Sequence, residues 1–200
     1  MCQPLPSVSE ITSLQIDLVD LWHREDIGKP AEGLMGLVFS NHEFNFRLWH
    51  QEDIARSPTV SDSEIADVKR AIDRLNQARN DMIEKIDDEI TRWLKEQGVE
   101  ANDKPINTET AGSAVDRLSI MSLRLYHYQE DSERDDVDDQ HRAKVRGRIE
   151  LCEAQHADLS NSLQELLNDL VAGSKQHKTY RQMKMYNDPS LNPEIYKGDG

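Results

Sequence analysis

The fold is decided by the stretch from His42 to Thr91, which reads HEFNFRLWHQEDIARSPTVSDSEIADVKRAIDRLNQARNDMIEKIDDEIT. Apolar residues recur at three- and four-residue steps on both sides of Pro58, a spacing that is typical of amphipathic helices. Ser61-Asp62-Ser63-Glu64 has the form of a capping box and opens the second helix. The apolar stripe of that helix continues through Ile65, Val68, Ile72, Leu75, Met82 and Ile86. The stretch therefore predicts two antiparallel helices joined by a short turn.

The same periodicity extends in both directions along the 200 residues, and no strand-like alternation or internal repeat competes with it. We predict a single all-α domain, an antiparallel up-down helical bundle of about five main helices. The predicted segments are a short helix at 7–24, main helices at 31–57, 61–98, 108–130 and 138–172, and a basic, then Pro/Asn-rich tail at 173–200 that packs back on the bundle. The fourth helix, with apolar residues on more than one side, is expected to be the most enclosed, and it makes a homodimer plausible.

Composition excludes several classes of partner. The net charge of −14 opposes binding to nucleic acid and to anionic membrane surfaces. No window approaches 18 uncharged apolar residues, and the first residues lack the basic and apolar regions of a signal peptide. Two cysteines give neither a disulfide framework nor a metal spacing. We expect a cytoplasmic protein that binds no nucleic acid and no membrane.

The segment after Gly173 is basic, with Lys175, Lys178, Arg181 and Lys184 at every third residue. One interpretation is a basic segment that lies on an acidic bundle. The other is a lid or an anion-binding element, whose contacts would come from Arg181, Lys184 and Tyr186.

Four blocks of sequence resemble one bacterial family, the domain-of-unknown-function family 4254. They are NFRLWHQEDIAR at 45–56, IDRLNQARNDMIEKID at 72–87, DRLSIMSLRLYHY at 116–128 and YRQMKMYNDPSLNPEIY at 180–196. The resemblance implies a bacterial, mainly helical protein. It implies no activity, and no catalytic residue is carried over from it.

Arg79 is the most informative single residue, because it falls in the apolar stripe of the third helix, between Leu75 and Met82. A buried guanidinium without a partner is unstable, so Arg79 must either pair with a carboxylate or bind an anion. The turn at Pro58 makes the second helix its neighbour. Glu52 or Asp53 on that helix comes within reach of Arg79 only if the register of the two helices allows it.

A polar face of the second helix opposes Arg79 and suggests a cleft between the second and third helices. The candidate ligand-binding residues are His42, Asn45, Trp49, Glu52, Asp53, Arg56, Asn76, Arg79 and Asn80. Three hypotheses follow. The protein is a ligand- or partner-binding accessory protein; or it is an enzyme acting on a small anionic or phosphorylated metabolite, with Glu52 or His42 as general base; or the polar residues are a structural network that sets helix register.

Metal and cofactor chemistry receive little support. Glu153 and His156 have the Glu-x-x-His spacing of di-iron bundles, but a second such motif is missing from the sequence. No Gly-rich phosphate loop occurs. We predict neither a metal nor a cofactor, and the expected ligand is a small anionic molecule.

Overall fold

The computed structural model describes residues 4–183 and 188–193, and within them the chain forms five helices and no strand. The helices are α1 (Val8–Trp22), α2 (Leu34–Arg56), α3 (Asp62–Glu96), α4 (Ala111–Ser132) and α5 (Asp139–Val171). The prediction of an all-α bundle is therefore confirmed, and each predicted helix lies within three residues of its observed bounds. None of these helices is long and apolar enough to cross a membrane.

The helix starts follow from local hydrogen bonding. At Ser61 the backbone N–H donates to Glu64 Oε2 over 3.0 Å, and the Glu64 N–H donates to Ser61 Oγ over 3.4 Å, as a capping box requires. Ser7 and Glu10 form the same reciprocal pair at the start of α1. The capping box at Ser61 had been predicted from the spacing of a serine and a glutamate, and it is present.

The core is centred on α4, which contacts all four other helices. Leu118 on α4, Ile86 on α3 and Leu163 on α5 are almost completely buried. Ten of the 22 residues of α4 are buried, more than in any other helix, which agrees with the expected enclosure. Because other helices of the same chain cover its apolar sides, those sides give no reason to infer a dimer.

Three helices surround the candidate site. α2 packs along α3 as expected for helices joined by a short turn, and α4 packs against both. The chain after α5 returns to the bundle, where Gln176 donates a backbone hydrogen bond to the Pro105 carbonyl oxygen over 3.0 Å. The cavity described below is lined by residues of α2, α3 and α4.

Candidate ligand-binding site

Arg79 pairs with Asp116 of α4. Its Nε donates to Asp116 Oδ1 over 2.8 Å and its Nη2 donates to Asp116 Oδ2 over 2.5 Å, a two-point contact made by one edge of the guanidinium. These hydrogen bonds raise the pKa of Arg79 above its usual value, against the effect of burial. A carboxylate was one of the two predicted alternatives for Arg79, and the structure shows a carboxylate. It does not come from Glu52 or Asp53, the two acids considered from the sequence. The carboxylate comes from a helix that is distant in sequence.

Asp116 is buried beneath Arg79 and accepts further hydrogen bonds from α2. The side-chain amides of Asn41 and Asn45 both donate to Asp116 Oδ1, over 3.0 and 2.9 Å. Asn45 also donates to Ser119 Oγ, one turn further along α4, over 2.9 Å. Three helices are therefore joined by one polar network.

His42 belongs to the interior of this network. Its side chain is fully buried, its Nδ1 lies 2.7 Å from Ser119 Oγ, and its ring stacks on Trp22. Burial lowers the pKa of His42 to about 3, although a nearby backbone carbonyl of Gln15 opposes this effect. His42 is therefore neutral at physiological pH and lacks contact with solvent, so it is poorly placed to act as a general base.

A cavity of about 360 Å³ lies beside this network and opens to solvent. Its size lies in the usual range of small-molecule sites. The apolar part of its wall consists of Leu48, Trp49, Ile120 and Leu123. The polar part consists of Asn45, Glu52, Asp53, Arg56 and Arg79.

Six of the nine residues predicted for the ligand site line this cavity: Asn45, Trp49, Glu52, Asp53, Arg56 and Arg79. His42 lies behind the wall. Asn76 and Asn80 are half-buried on α3 outside the lining, where Asn80 Oδ1 accepts a hydrogen bond from Gln182 Nε2 over 3.2 Å. The structure brings together the predicted face of α2 and Arg79, and it adds α4 as a third wall.

The residues that the sequence prediction missed are Asn41, Asp116 and Ser119. A signal was present, because Asp116 and Ser119 stand three residues apart in a helix that was expected to be enclosed. Polar residues at such positions need buried partners, just as Arg79 does. The sequence did not show that Arg79 and Asp116 are each other's partners.

The charges around the cavity nearly cancel. The Arg79 cation is neutralised by Asp116, and Arg56 Nη1 donates to Glu52 Oε2 over 2.5 Å on the exposed rim. Asp53 lies exposed beside that pair. The wall therefore carries no excess of positive charge with which to hold a multiply charged anion.

The basic segment after α5 lies on the acidic face of α3 and away from this cavity. Arg181 donates to Glu84 over 3.0 Å and to Asp88 over 2.7 Å, and neither acid lines the cavity. These hydrogen bonds raise the pKa of Arg181. Lys184 and Tyr186, the other expected lid residues, lie outside the described residues.

In the described ranges, no group of three or more His, Cys, Asp or Glu side chains is arranged to hold a metal ion. Arg79 Nη1 offers hydrogen-bond donors to this cavity, next to the apolar part of its wall.

Comparison with known proteins gives a family but no activity. The family model described as "Protein of unknown function (DUF4254)" matches residues 35–179, which include α2 to α5 and the whole cavity lining. The last of the four resembling blocks, at 180–196, lies beyond the match. No curated protein and no solved structure matches the chain.

Proposed function

Because the chain belongs to the DUF4254 family, whose description names no activity, we propose its function from the cavity: it binds a small molecule between α2, α3 and α4. The polar end of this molecule contacts Arg79. Its apolar body lies on Trp49 and Leu123. The sequence had placed this cleft between the second and third helices, and the proposal adds α4 to it.

One observation carries the proposal, namely the way in which Arg79 is held at the cavity wall. Asp116 occupies Nε and Nη2, while Nη1 has no hydrogen-bond partner among the described residues. A guanidinium that is fixed in place by a buried carboxylate, with donors left over, loses little conformational freedom when a ligand binds. A purely structural pair would need no cavity beside it.

The charge of the cavity wall narrows the class of anionic ligand that we expect. Since Asp116 neutralises Arg79 and two carboxylates line the rim, a phosphate dianion would meet repulsion. A single carboxylate, sulfonate or carbonyl group, attached to a flat apolar body, matches the free Nη1 donors and the Trp49 ring. This proposal favours an organic monoacid over a phosphorylated metabolite.

The enzyme hypothesis gains less support from the same geometry. His42 is buried behind the wall, and Glu52 is already paired with Arg56. The two general bases that this hypothesis names are therefore enclosed or already paired. Binding without chemistry is therefore the function that we propose. A bacterial cytoplasmic setting remains part of the proposal, and the buried free thiol of Cys152 fits a reducing compartment.

A thermal-shift screen of aromatic and aliphatic monoacids tests the proposal, with the cavity filled by Leu48→Trp. Leu151→Trp is the matched control, because Leu151 is exposed on α5 and far from the lining. A ligand at 100 times its Kd should raise Tm by about 5–10 °C in wild type and in Leu151→Trp. Leu48→Trp should abolish this shift. Equal shifts in all three proteins, or no shift across the screen, would contradict ligand binding here.

A further inference from the structure

Three histidine rings meet next to the cavity, at the place where α1, α2 and α4 come together. His23 is the C-cap residue of α1, His50 lies on α2 and His127 lies on α4. Their ring centroids are separated by 5.3 Å (His23 to His50), 5.2 Å (His23 to His127) and 6.0 Å (His50 to His127). Nothing in the spacing of the sequence brings these three histidines together.

Two of these rings have their hydrogen positions fixed by neighbours. His23 Nδ1 lies 2.7 Å from the Val19 carbonyl oxygen, and His127 Nδ1 lies 2.8 Å from Glu130 Oε2, so each Nδ1 carries the hydrogen. The Nε2 atoms of both rings are buried and have no hydrogen-bond partner among the described residues. Both rings are therefore held by one hydrogen bond at Nδ1 and by packing around Nε2.

His50 is the third member, and its surroundings favour the neutral ring. Burial lowers the pKa of His50, and so does the proximity of His23 and His127, against the opposing effect of Asp53 and Glu130. Its own helix and the three helices packed around it supply the titratable and charged groups that face it. They are His23 from α1, Arg47 and Asp53 from α2, Arg74 from α3, and Tyr126, His127 and Glu130 from α4.

Trp49 connects this cluster to the ligand cavity. Its indole stacks on the His127 ring with centroids 4.7 Å apart and an angle of 9° between the planes. The same residue lines the cavity. The position of the His127 ring therefore determines how firmly one wall of the cavity is supported.

We propose that His23, His50 and His127 form a proton-responsive support for the cavity wall, so that ligand binding weakens when His50 is protonated. In the neutral state the rings pack as an aromatic cluster and hold Trp49 in place. When His50 takes up a proton, the imidazolium is drawn towards Asp53 and Glu130 and leaves the packed cluster, so that His127 loses its support against the indole. The effect on ligand binding rests on the proposed function, whereas the movement of Trp49 does not.

The movement of Trp49 is tested first, by tryptophan fluorescence between pH 7.5 and pH 5.0. The chain has three tryptophans, so the Trp49 signal is taken as the difference between wild type and Trp49→Phe. We expect this signal to change as the pH falls through this range, while far-UV circular dichroism stays constant. His50→Phe keeps an aromatic ring at the T-shaped contact with Phe46 but cannot titrate, and it should remove most of this change.

A matched control removes a histidine elsewhere. His156→Gln takes away a half-buried imidazole on α5, whose pKa is also lowered by burial, and it should leave the Trp49 titration unchanged. His50→Gln serves as a second variant if His50→Phe does not fold. A Trp49 signal that is independent of pH, or one that titrates identically in the His50 variants and in wild type, would overturn the proposal.

Ligand binding is then measured with 1-anilinonaphthalene-8-sulfonate, which combines one sulfonate with flat apolar rings. We expect its affinity for wild type to fall about fivefold from pH 7.5 to pH 5.5, and to fall less than twofold for His50→Phe. Acid unfolding would instead increase binding of this dye. If Leu48→Trp binds the dye as well as wild type does at pH 7.5, the proposed function fails, but the fluorescence titration still decides the response of Trp49 to protons. An unchanged affinity at pH 5.5, with binding still blocked by Leu48→Trp, would overturn the regulation alone.

Discussion

At the scale of single residues, the carboxylate of Asp116 organises the polar network. It is buried, with 4% of its side chain exposed, and its two oxygens accept hydrogen bonds from Arg79, Asn41 and Asn45. The Arg79 side chain remains 23% exposed at the cavity wall. A buried acid thus holds a partly exposed cation in a fixed orientation, and the orientation is what a ligand would use.

Replacement of Asp116 by asparagine tests this arrangement. Asp116→Asn keeps the size of the side chain but leaves Arg79 without its countercharge, so we expect the free energy of unfolding to fall by about 2–4 kcal/mol. Asp73→Asn is the control, because Asp73 forms an exposed pair with Lys69 and should contribute less than about 1 kcal/mol. Urea denaturation at pH 7.5 measures both. A loss below 1 kcal/mol for Asp116→Asn would show that the network is not strongly coupled.

The same residues show how far prediction from sequence could reach. The charge of an arginine in an apolar stripe must be compensated by a carboxylate of the protein or by a bound anion, because an uncompensated buried charge is energetically costly. Which carboxylate it meets depends on the relative rotation and register of three helices. Side-chain spacing within one helix says nothing about that register, so Glu52 and Asp53 were reasonable but wrong candidates, and Asp116 could not be singled out.

At the scale of helices, the approach of α4 to α3 depends on a residue without a side chain. A Cβ atom at Gly112 would lie 2.5 Å from the Ile83 carbonyl oxygen and 2.9 Å from Asp87 Oδ1. The Gly112 N–H donates to that same Asp87 oxygen over 2.7 Å. The start of α4 is therefore pressed against the backbone of α3.

Gly112→Ala should consequently destabilise the protein. We expect a loss of about 1–3 kcal/mol, because the two helix backbones must separate to admit the methyl group. Gly147→Ala is the matched control on α5, where no atom lies within 4 Å of the added Cβ. It should stabilise the protein by about 0.5–1 kcal/mol through helix propensity alone. Equal effects of the two substitutions in urea denaturation would contradict a close contact between α3 and α4.

Helix positions were the easiest property to predict, because caps and apolar periodicity are local. Ser7 and Ser61 mark the starts of α1 and α3, and the glutamate three residues after each serine completes its capping box. The contact at Gly112 was not predictable in the same way. A glycine in the first turn of a helix has no pattern around it that indicates which neighbouring backbone it faces.

At the scale of the whole molecule, the chain after α5 is anchored along the outer side of α3. His177 Nε2 lies 3.4 Å from the buried Asp87 Oδ1, and His177 Nδ1 lies 2.9 Å from Thr91 Oγ1. Arg181 then bridges Glu84 and Asp88. The acidic character of the bundle, with its net charge of −14, is partly balanced here by the basic segment that follows it.

We expect reversal of the Arg181 charge to change the local protection of this segment rather than the global stability of the protein. Arg181→Glu places a third negative charge beside Glu84 and Asp88, so we expect the amides of residues 176–183 to lose at least tenfold in hydrogen-exchange protection. The free energy of unfolding should change by less than about 1 kcal/mol, because the pairs are exposed. Lys178→Glu makes the same change in charge within the same segment, but Lys178 lies over the Tyr180 ring and forms no such bridge to α3.

The two variants separate a specific pairing from the general attraction of a basic segment to an acidic bundle. If Arg181 is the anchor, its reversal releases the segment and Lys178→Glu does not. If only the summed charge matters, both variants release it equally, and 1 M NaCl releases it in wild type because screening then acts within about 3 Å. Ligand binding at the cavity should be the same in both variants, because Arg181 is bound to a different face of α3. A loss of ligand binding in Arg181→Glu alone would instead support the interpretation of Arg181 as part of a lid or anion-binding element.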